Sequence, residues 1–103
     1  MNSARTRISA AAVKQAVDAG EFYAKELTMP PPRPGREWQS GGRCPFHVDR
    51  RVGNFRINVR TGAFTCFSCG VRGGDIIAFT QALHGMSFPD ALDELCDSWG
   101  VRP

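Results

Sequence analysis

Two pairs of cysteine and histidine side chains constrain this chain more than any other feature. The first pair is Cys44 and His47, and after eighteen further residues the second is Cys66 and Cys69. Two residues separate the members of each pair, so one tight turn can direct both side chains toward a single ion. Thiolate and imidazole are the ligands that Zn²⁺ prefers in a tetrahedral site. Because four protein ligands leave no position for water, the pattern predicts one structural zinc ion.

The size of the chain favours this interpretation. It has 103 residues, of which 42% are hydrophobic and 22% charged, as expected for one small soluble domain. Domains this small often need a metal or disulfides for stability. No apolar run is long enough to cross a bilayer, and the N-terminal residues lack the apolar core of a signal peptide. We therefore expect a cytoplasmic protein with no membrane partner, whose reduced thiols bind a metal.

The positive charge is concentrated in the middle of the chain. The formal net charge is +3, but residues 44–74 contain five arginines against one aspartate, whereas residues 75–103 contain five acids against one arginine. A basic middle segment is suited to phosphate groups. An unevenly charged, solvated surface is the alternative interpretation, and charge alone does not decide between them.

The N-terminal part is predicted to be helical. Ser9 is an expected N-cap, and Gly20 an expected end, for a helix over residues 9–20. Residues 21–29 are compatible with either a helical turn or a strand. The proline-rich residues 30–36 break the pattern. We expect an N-terminal helical segment over 1–29, a linker over 30–36 and the zinc-binding domain over 37–103.

A β-hairpin is predicted after the first metal-ligand pair. A short strand is expected over 37–40, and residues 54–60 alternate between apolar and polar side chains. One face of this strand carries Phe55, Ile57 and Val59. The other face carries Arg56, Asn58 and Arg60. Thr61 and Gly62 form the turn, and residues 63–66 return the chain.

Two helices are predicted to follow the hairpin. Asp75 can cap the first, which ends at Gly85, and Ser87 can cap the second, with Pro89 in its first turn. The apolar stripe of the second helix is predicted to be core and consists of Phe88, Ala91, Leu92, Leu95, Cys96 and Trp99. The thiol of Cys96 is therefore interpreted as a core side chain and not as a further ligand.

Four ordered motifs together resemble a known family. They are Cys44-Pro45-Phe46-His47, Phe55-Arg56-Ile57-Asn58, Phe64-Thr65-Cys66-Phe67-Ser68-Cys69-Gly70 and Gly73-Gly74-Asp75-Ile76-Ile77-Ala78-Phe79. Over roughly residues 37–101 the chain resembles the CHC2-type zinc-binding domain of bacterial DnaG-type DNA primases. It departs from the family pattern after His47, where the loop is one residue longer and lacks the family's proline. The proline-rich segment before Trp38 is also unusual for the family.

The resemblance implies an α+β fold, in which a small antiparallel zinc-ribbon sheet is flanked by helices. It also implies that the sheet surface binds single-stranded DNA template. The matching positions on the hairpin are Arg56, Asn58 and Arg60, with Phe64 offering a ring from the return strand. Four further arginines would extend this basic track around the metal ligands: Arg43, Arg50, Arg51 and Arg72.

The expected function is therefore a non-catalytic module of DNA replication, since 103 residues leave no room for a primase polymerase domain. Its expected partners are single-stranded DNA and a separate primase, helicase or other replication protein. Two alternatives remain open on the same fold: a protein-interaction adaptor and a regulator that binds duplex DNA.

Overall fold

The computed structural model describes residues 8–29, 33–48 and 50–102. The first residues of the predicted linker, 30–32, lie outside this range. In chain order the elements are α1 (Ala10–Ala16), α2 (Ala19–Glu26), β1 (Trp38–Ser40), β2 (Phe55–Asn58), β3 (Phe64–Cys66), β4 (Arg72–Gly73), α3 (Ile76–His84) and α4 (Phe88–Trp99). The fold is α+β with an antiparallel sheet, as predicted.

The N-terminal segment forms two helices instead of one. Ser9 caps α1 as predicted, its hydroxyl accepting a hydrogen bond from the backbone N–H of Ala12 at 3.1 Å. The helix then ends at Val17, whose backbone is extended. A second helix starts directly after it, because the Asp18 carboxylate accepts a hydrogen bond from the N–H of Glu21 and caps that helix. The prediction that Gly20 ends a helix is wrong, since it lies in the first turn of α2. The undecided stretch after it is helical through Glu26.

The sheet has the order β1-β2-β3-β4, with each strand antiparallel to its neighbour. In register, Phe55 pairs with Cys66 and Ile57 pairs with Phe64. Directly paired residues project from the same face, so these four side chains all point toward the core. Their exposed fractions are 1% or less. This is the inner face of the sheet, and the helices lie against it.

Register and burial correct two of the predicted nucleic-acid contacts. Phe64 is 1% exposed, because it is on the same face as Ile57, so its ring cannot stack on a base. Asn58 is 4% exposed, and its side-chain oxygen accepts hydrogen bonds from the N–H groups of Arg60 and Thr61, both at 2.9 Å. Asn58 therefore stabilises the hairpin turn, and its buried side chain is not accessible to nucleic acid.

An aromatic cluster joins the sheet to both helical regions. Phe79 of α3 is fully buried, and its ring packs edge-on against Phe22, Tyr23 and Phe64, at centroid distances of 5.7, 5.1 and 5.4 Å. The hydroxyl of Tyr23 also donates a buried hydrogen bond of 2.6 Å to the carbonyl of Gly62, in the turn of the hairpin. The N-terminal helices thus share one core with the zinc-binding part, although the predicted domain boundaries stay a prediction.

The two C-terminal helices begin at the predicted caps, and the first ends at Gly85 as predicted. Asp75 and Ser87 cap them, while Gly85 and Gly100 adopt the left-handed conformation at their C-termini. The predicted stripe of α4 is buried from Ala91 to Cys96, but Phe88 is 46% exposed, so its assignment to the core is wrong. Across the described residues, every helix is too short or too polar to cross a membrane.

Candidate metal centre and nucleic-acid interface

The structure brings all four predicted metal ligands together. One ligand atom from each of Cys44, His47, Cys66 and Cys69 lies within 4.8 Å of the other three. Cys66 ends β3, and Cys69 follows in the next turn, while Cys44 and His47 are in the loop after β1. Cys44 and Cys66 are buried, whereas Cys69 is exposed. The site is therefore at the edge of the inner face, with one side open to solvent.

Backbone N–H groups point at the cysteine sulfur atoms. The N–H of Phe46 donates to Cys44 Sγ at 3.4 Å, and the N–H of Cys69 donates to Cys66 Sγ at 3.5 Å. Burial raises the pKa of the metal-free Cys44 thiol to about 12. Burial also opposes ionisation of Cys66, but the N–H groups of Cys69 and Ser68 outweigh it and lower the pKa of that thiol. Without metal, the second turn thus favours Cys66 as a thiolate, whereas burial favours Cys44 as a neutral thiol.

The donor set fits one zinc ion. A tetrahedral ion with Zn–S bonds of about 2.3 Å holds two sulfur atoms about 3.8 Å apart. The measured distance between Cys44 Sγ and Cys69 Sγ is 3.9 Å. Three thiolates and one imidazole complete four-coordination, so a bound ion has no open position and its role is structural. The prediction of one structural zinc ion is confirmed.

The opposite side of the sheet, which we call the outer face, consists of Trp38, Ser40, Arg56, Thr65, Phe67 and Arg72. Ser40 pairs with Arg56, Arg56 with Thr65, and Thr65 with Arg72, so these residues form one row across the strands. Two aromatic rings flank the row and are unusually accessible: Trp38 is 45% exposed and Phe67 is 75% exposed. Together with Arg56 and Thr65 they line a shallow depression of about 280 Å³.

The predicted arginines are in different surroundings. Arg56 is half-buried on the outer face, and its guanidinium is 3.5 Å from the carbonyl of Trp38. Arg60 lies beyond the end of β2 and forms an exposed ion pair of 3.0 Å with Glu37, which offsets its charge. Arg72 extends the outer-face row. Arg43, Arg50 and Arg51 are exposed in the loops around the metal ligands, and their contact with nucleic acid stays a prediction.

Sequence reasoning missed the two exposed rings. The sequence pattern places Trp38 only in a strand and Phe67 only in the turn between two ligands. A signal for Phe67 was present: strand side chains alternate, so Phe67 must be opposite to Cys66, which points at the metal. Its N–H continues the sheet by donating to the carbonyl of Asn54 at 2.9 Å.

Comparisons with known proteins agree with this geometry. The chain is 42% identical over 59 residues to a DNA primase of Mycolicibacterium smegmatis, and 42% identical over 60 residues to a DNA primase of Lactococcus lactis. These alignments cover 57% and 58% of this chain but only 9% of each relative. In fold, the chain is similar to the Aquifex aeolicus primase (zinc-binding and RNA polymerase domains), with a TM-score of 0.67 and 24% identity. That match covers 93% of this chain and 23% of the other.

The family model described as the CHC2 zinc finger matches residues 7–102. The match includes all four ligands and also the N-terminal helices, which the resemblance in sequence motifs covers only loosely. This chain therefore belongs to the CHC2 zinc finger family.

Proposed function

We propose that the outer face binds single-stranded DNA template during primer synthesis, and that the module itself is non-catalytic. The observation that carries the proposal is the placement of two exposed rings, Trp38 and Phe67, on either side of Arg56. Unpaired bases can stack on exposed aromatic rings, each stack contributing about 1–3 kcal/mol, while a guanidinium binds the phosphates. Arg72 adds a second cation to the same row.

The charges around the rings favour a polyanion. The described outer-face residues include two arginines and no carboxylate. The acids of α4, by contrast, are on a helix that packs against α1 and α3. A single strand approaching the sheet therefore meets positive charge, with the acidic segment on other elements.

The arrangement of the acidic residues supports a non-catalytic role, because among the described residues they form no cluster of three or more that could hold a metal ion. Within the described ranges, only the zinc ligands form a group of three or more side chains placed to hold a metal ion. Primer synthesis would then require a polymerase domain, either elsewhere in a longer chain or in a partner. We propose a primase, helicase or other replication protein as this partner, and a cytoplasmic location.

A titration with fluorescent oligonucleotides tests the proposal. Zinc-loaded protein is titrated against single-stranded DNA, duplex DNA and RNA of matched sequence. We expect preference for single strands and affinity that falls as salt rises. Trp38→Ala and Phe67→Ala should each weaken binding roughly 5- to 150-fold, the equivalent of one lost base stack. Phe88→Ala, which removes an exposed ring on α4, is the matched control and should leave affinity unchanged.

Each other result favours a different function. Tighter binding of duplex DNA would indicate a duplex-binding regulator. Folded, zinc-loaded protein with no affinity for any oligonucleotide would refute the proposal and favour a protein-interaction adaptor. Equal losses in Phe67→Ala and Phe88→Ala would show that the binding surface is not the outer face.

A further inference from the structure

A second depression adjoins the outer face and is rich in arginine. It has a volume of about 390 Å³ and lies between the loop before β1 and the sheet. Its cationic lining residues are Arg33, Arg36 and Arg56, and no carboxylate lines it. Within the described residues, no acid lies within ion-pair distance of Arg33 or Arg36. We call this depression the arginine groove.

The loop that carries two of these arginines is fixed to β1 by one side chain. The amide of Gln39 accepts a hydrogen bond from the N–H of Arg33 at 3.1 Å and donates to the carbonyls of Arg33 and Arg36, at 3.1 and 2.7 Å. An anchored loop loses less conformational freedom when it binds a ligand. Arg33 and Arg36, both within the predicted linker 30–36, are thus two cations on a backbone that is anchored to the sheet.

The two sides of this loop differ in charge. A neighbouring depression on its far side is also lined by Arg33 and Arg36, but it includes the carboxylates of Asp18 and Glu37. Glu37 is paired there with Arg60. An anion is therefore attracted more strongly to the arginine groove than to the far side, where two carboxylates offset part of the arginine charge.

The groove and the aromatic depression are neighbours that share two lining residues. Trp38 and Arg56 line both of them. A strand stacked on Phe67 and Trp38 that continues past Arg56 would place its next phosphates in the groove. The arginine fork is suited to phosphate oxygens.

We propose that the arginine groove binds the phosphodiester backbone of the template beyond the stacked bases, and so sets the path of the strand across the sheet. This inference rests on the proposed function, because it extends the same binding site. It assigns a role to Arg33 and Arg36, which belong to a segment that is unusual for the family.

The test compares the double variant R33A/R36A with wild type, R33K/R36K and the single control Arg102→Ala. The probes are oligothymidines of about four and about ten nucleotides, within the range of site sizes for single-strand binders. All four proteins should fold alike, because the substituted side chains are exposed. Affinity is measured at several salt concentrations from 50 to 200 mM.

We expect the alanine pair to lose two phosphate contacts with the ten-nucleotide probe. The slope of log affinity against log salt should then fall in magnitude by about 1.4, since each single-strand contact contributes about 0.7. Equivalently, a fourfold dilution of salt should increase the affinity of the alanine pair about sevenfold less than it increases the affinity of the wild type. The four-nucleotide probe should be affected less. The lysine pair should keep the wild-type slope, because the slope depends on the number of phosphates that are neutralised and lysine keeps the charge.

Two outcomes would overturn the inference. The first is a slope in R33A/R36A equal to that of Arg102→Ala, and the second is an equal loss of slope in the lysine pair. If binding still depends on Trp38 and Phe67 in either case, the proposed function stands and only the groove is refuted. If wild type binds neither probe, the proposed function fails as well.

Discussion

The hydrogen bond between Tyr23 and Gly62 provides a sharp test of how the N-terminal helices support the hairpin. The Tyr23 hydroxyl donates to the Gly62 carbonyl at 2.6 Å, and both residues are buried. Tyr23→Phe removes this hydroxyl and nothing else. The ring keeps its edge-on contacts with Phe22 and Phe79, at centroid distances of 5.2 and 5.1 Å.

The expected loss of stability follows from the Gly62 carbonyl, which Tyr23→Phe leaves without its hydrogen-bond donor. A neutral buried hydrogen bond contributes about 0.5–1.5 kcal/mol net, but a buried acceptor that loses its partner costs about 1–3 kcal/mol. The carbonyl of Gly62 cannot reach water while the hairpin keeps its shape. We therefore expect the free energy of unfolding to fall by about 2 kcal/mol in Tyr23→Phe, and Tm to fall by roughly 8 °C.

Urea unfolding of the zinc-loaded proteins measures this difference. The midpoint should fall while the m-value stays the same, because the native contacts are otherwise unchanged. A loss below about 0.5 kcal/mol would refute the argument that the bond stabilises the fold.

The same hydroxyl can be followed by alkaline titration, since Tyr23 is the one tyrosine of the chain. Burial, reinforced by the charge of Asp75, raises the pKa of the hydroxyl above its ordinary value. The unfolded chain ionises near pH 10, so the folded state keeps the full contribution of this group below that pH and loses it as the pH rises further. Tyrosinate absorbance should therefore appear only with unfolding. Tyrosinate formed near pH 10 by folded protein would contradict the burial of this group.

Three further predictions concern the metal site, the sheet and a helix cap. Cys66→Ser should abolish tight zinc binding and stable folding, which zinc content and circular dichroism measure. Cys96→Ala is the control and should keep the ion, because Cys96 is a buried thiol outside the site. Gly73→Ala should lower the free energy of unfolding in urea by roughly 1–3 kcal/mol, because its Cβ would be 2.5 Å from a core phenylalanine ring. Gly74→Ala is the control and should leave this free energy unchanged, because no atom lies within 4 Å of its Cβ. Asp75→Ala should lower the free energy of unfolding by about 1 kcal/mol, because α3 loses its N-cap. Asp75→Asn should keep most of the capping contribution in the same assay, because its side-chain oxygen can still accept the hydrogen bond.

Features that depend on neighbouring residues in the chain could be predicted from the sequence. The metal ligands are one example, because a two-residue spacing determines how a turn directs its side chains. The caps at Ser9, Asp75 and Ser87 are another, because each side chain bonds an N–H three residues ahead. The hairpin was also predictable, since its apolar alternation is local.

Features that depend on strand register or on competition between caps could not be predicted in this way. The orientation of Phe64 follows from its pairing with Ile57, which is determined by where the hairpin turns. Asn58 ends its strand and bonds the turn, so alternation no longer describes its side chain. Asp18 interrupted the expected N-terminal helix by capping the next one. The position of Trp38 on the outer face follows from the pairing of β1 with β2, which is not encoded by neighbouring residues.

Strand β3 couples the zinc site to the proposed DNA surface. Cys66 points toward the metal, and the residues on either side of it, Thr65 and Phe67, point to the outer face because strand side chains alternate. Ligation of Cys66 and Cys69 closes the turn that contains Phe67, so it restrains the direction of the Phe67 ring. Chelation should therefore abolish oligonucleotide affinity even though the ion is on the opposite side of the sheet from the bases. In the proposed function, zinc supports binding through the fold that it stabilises, which includes the turn that contains Phe67, and no contact between the ion and nucleic acid is required.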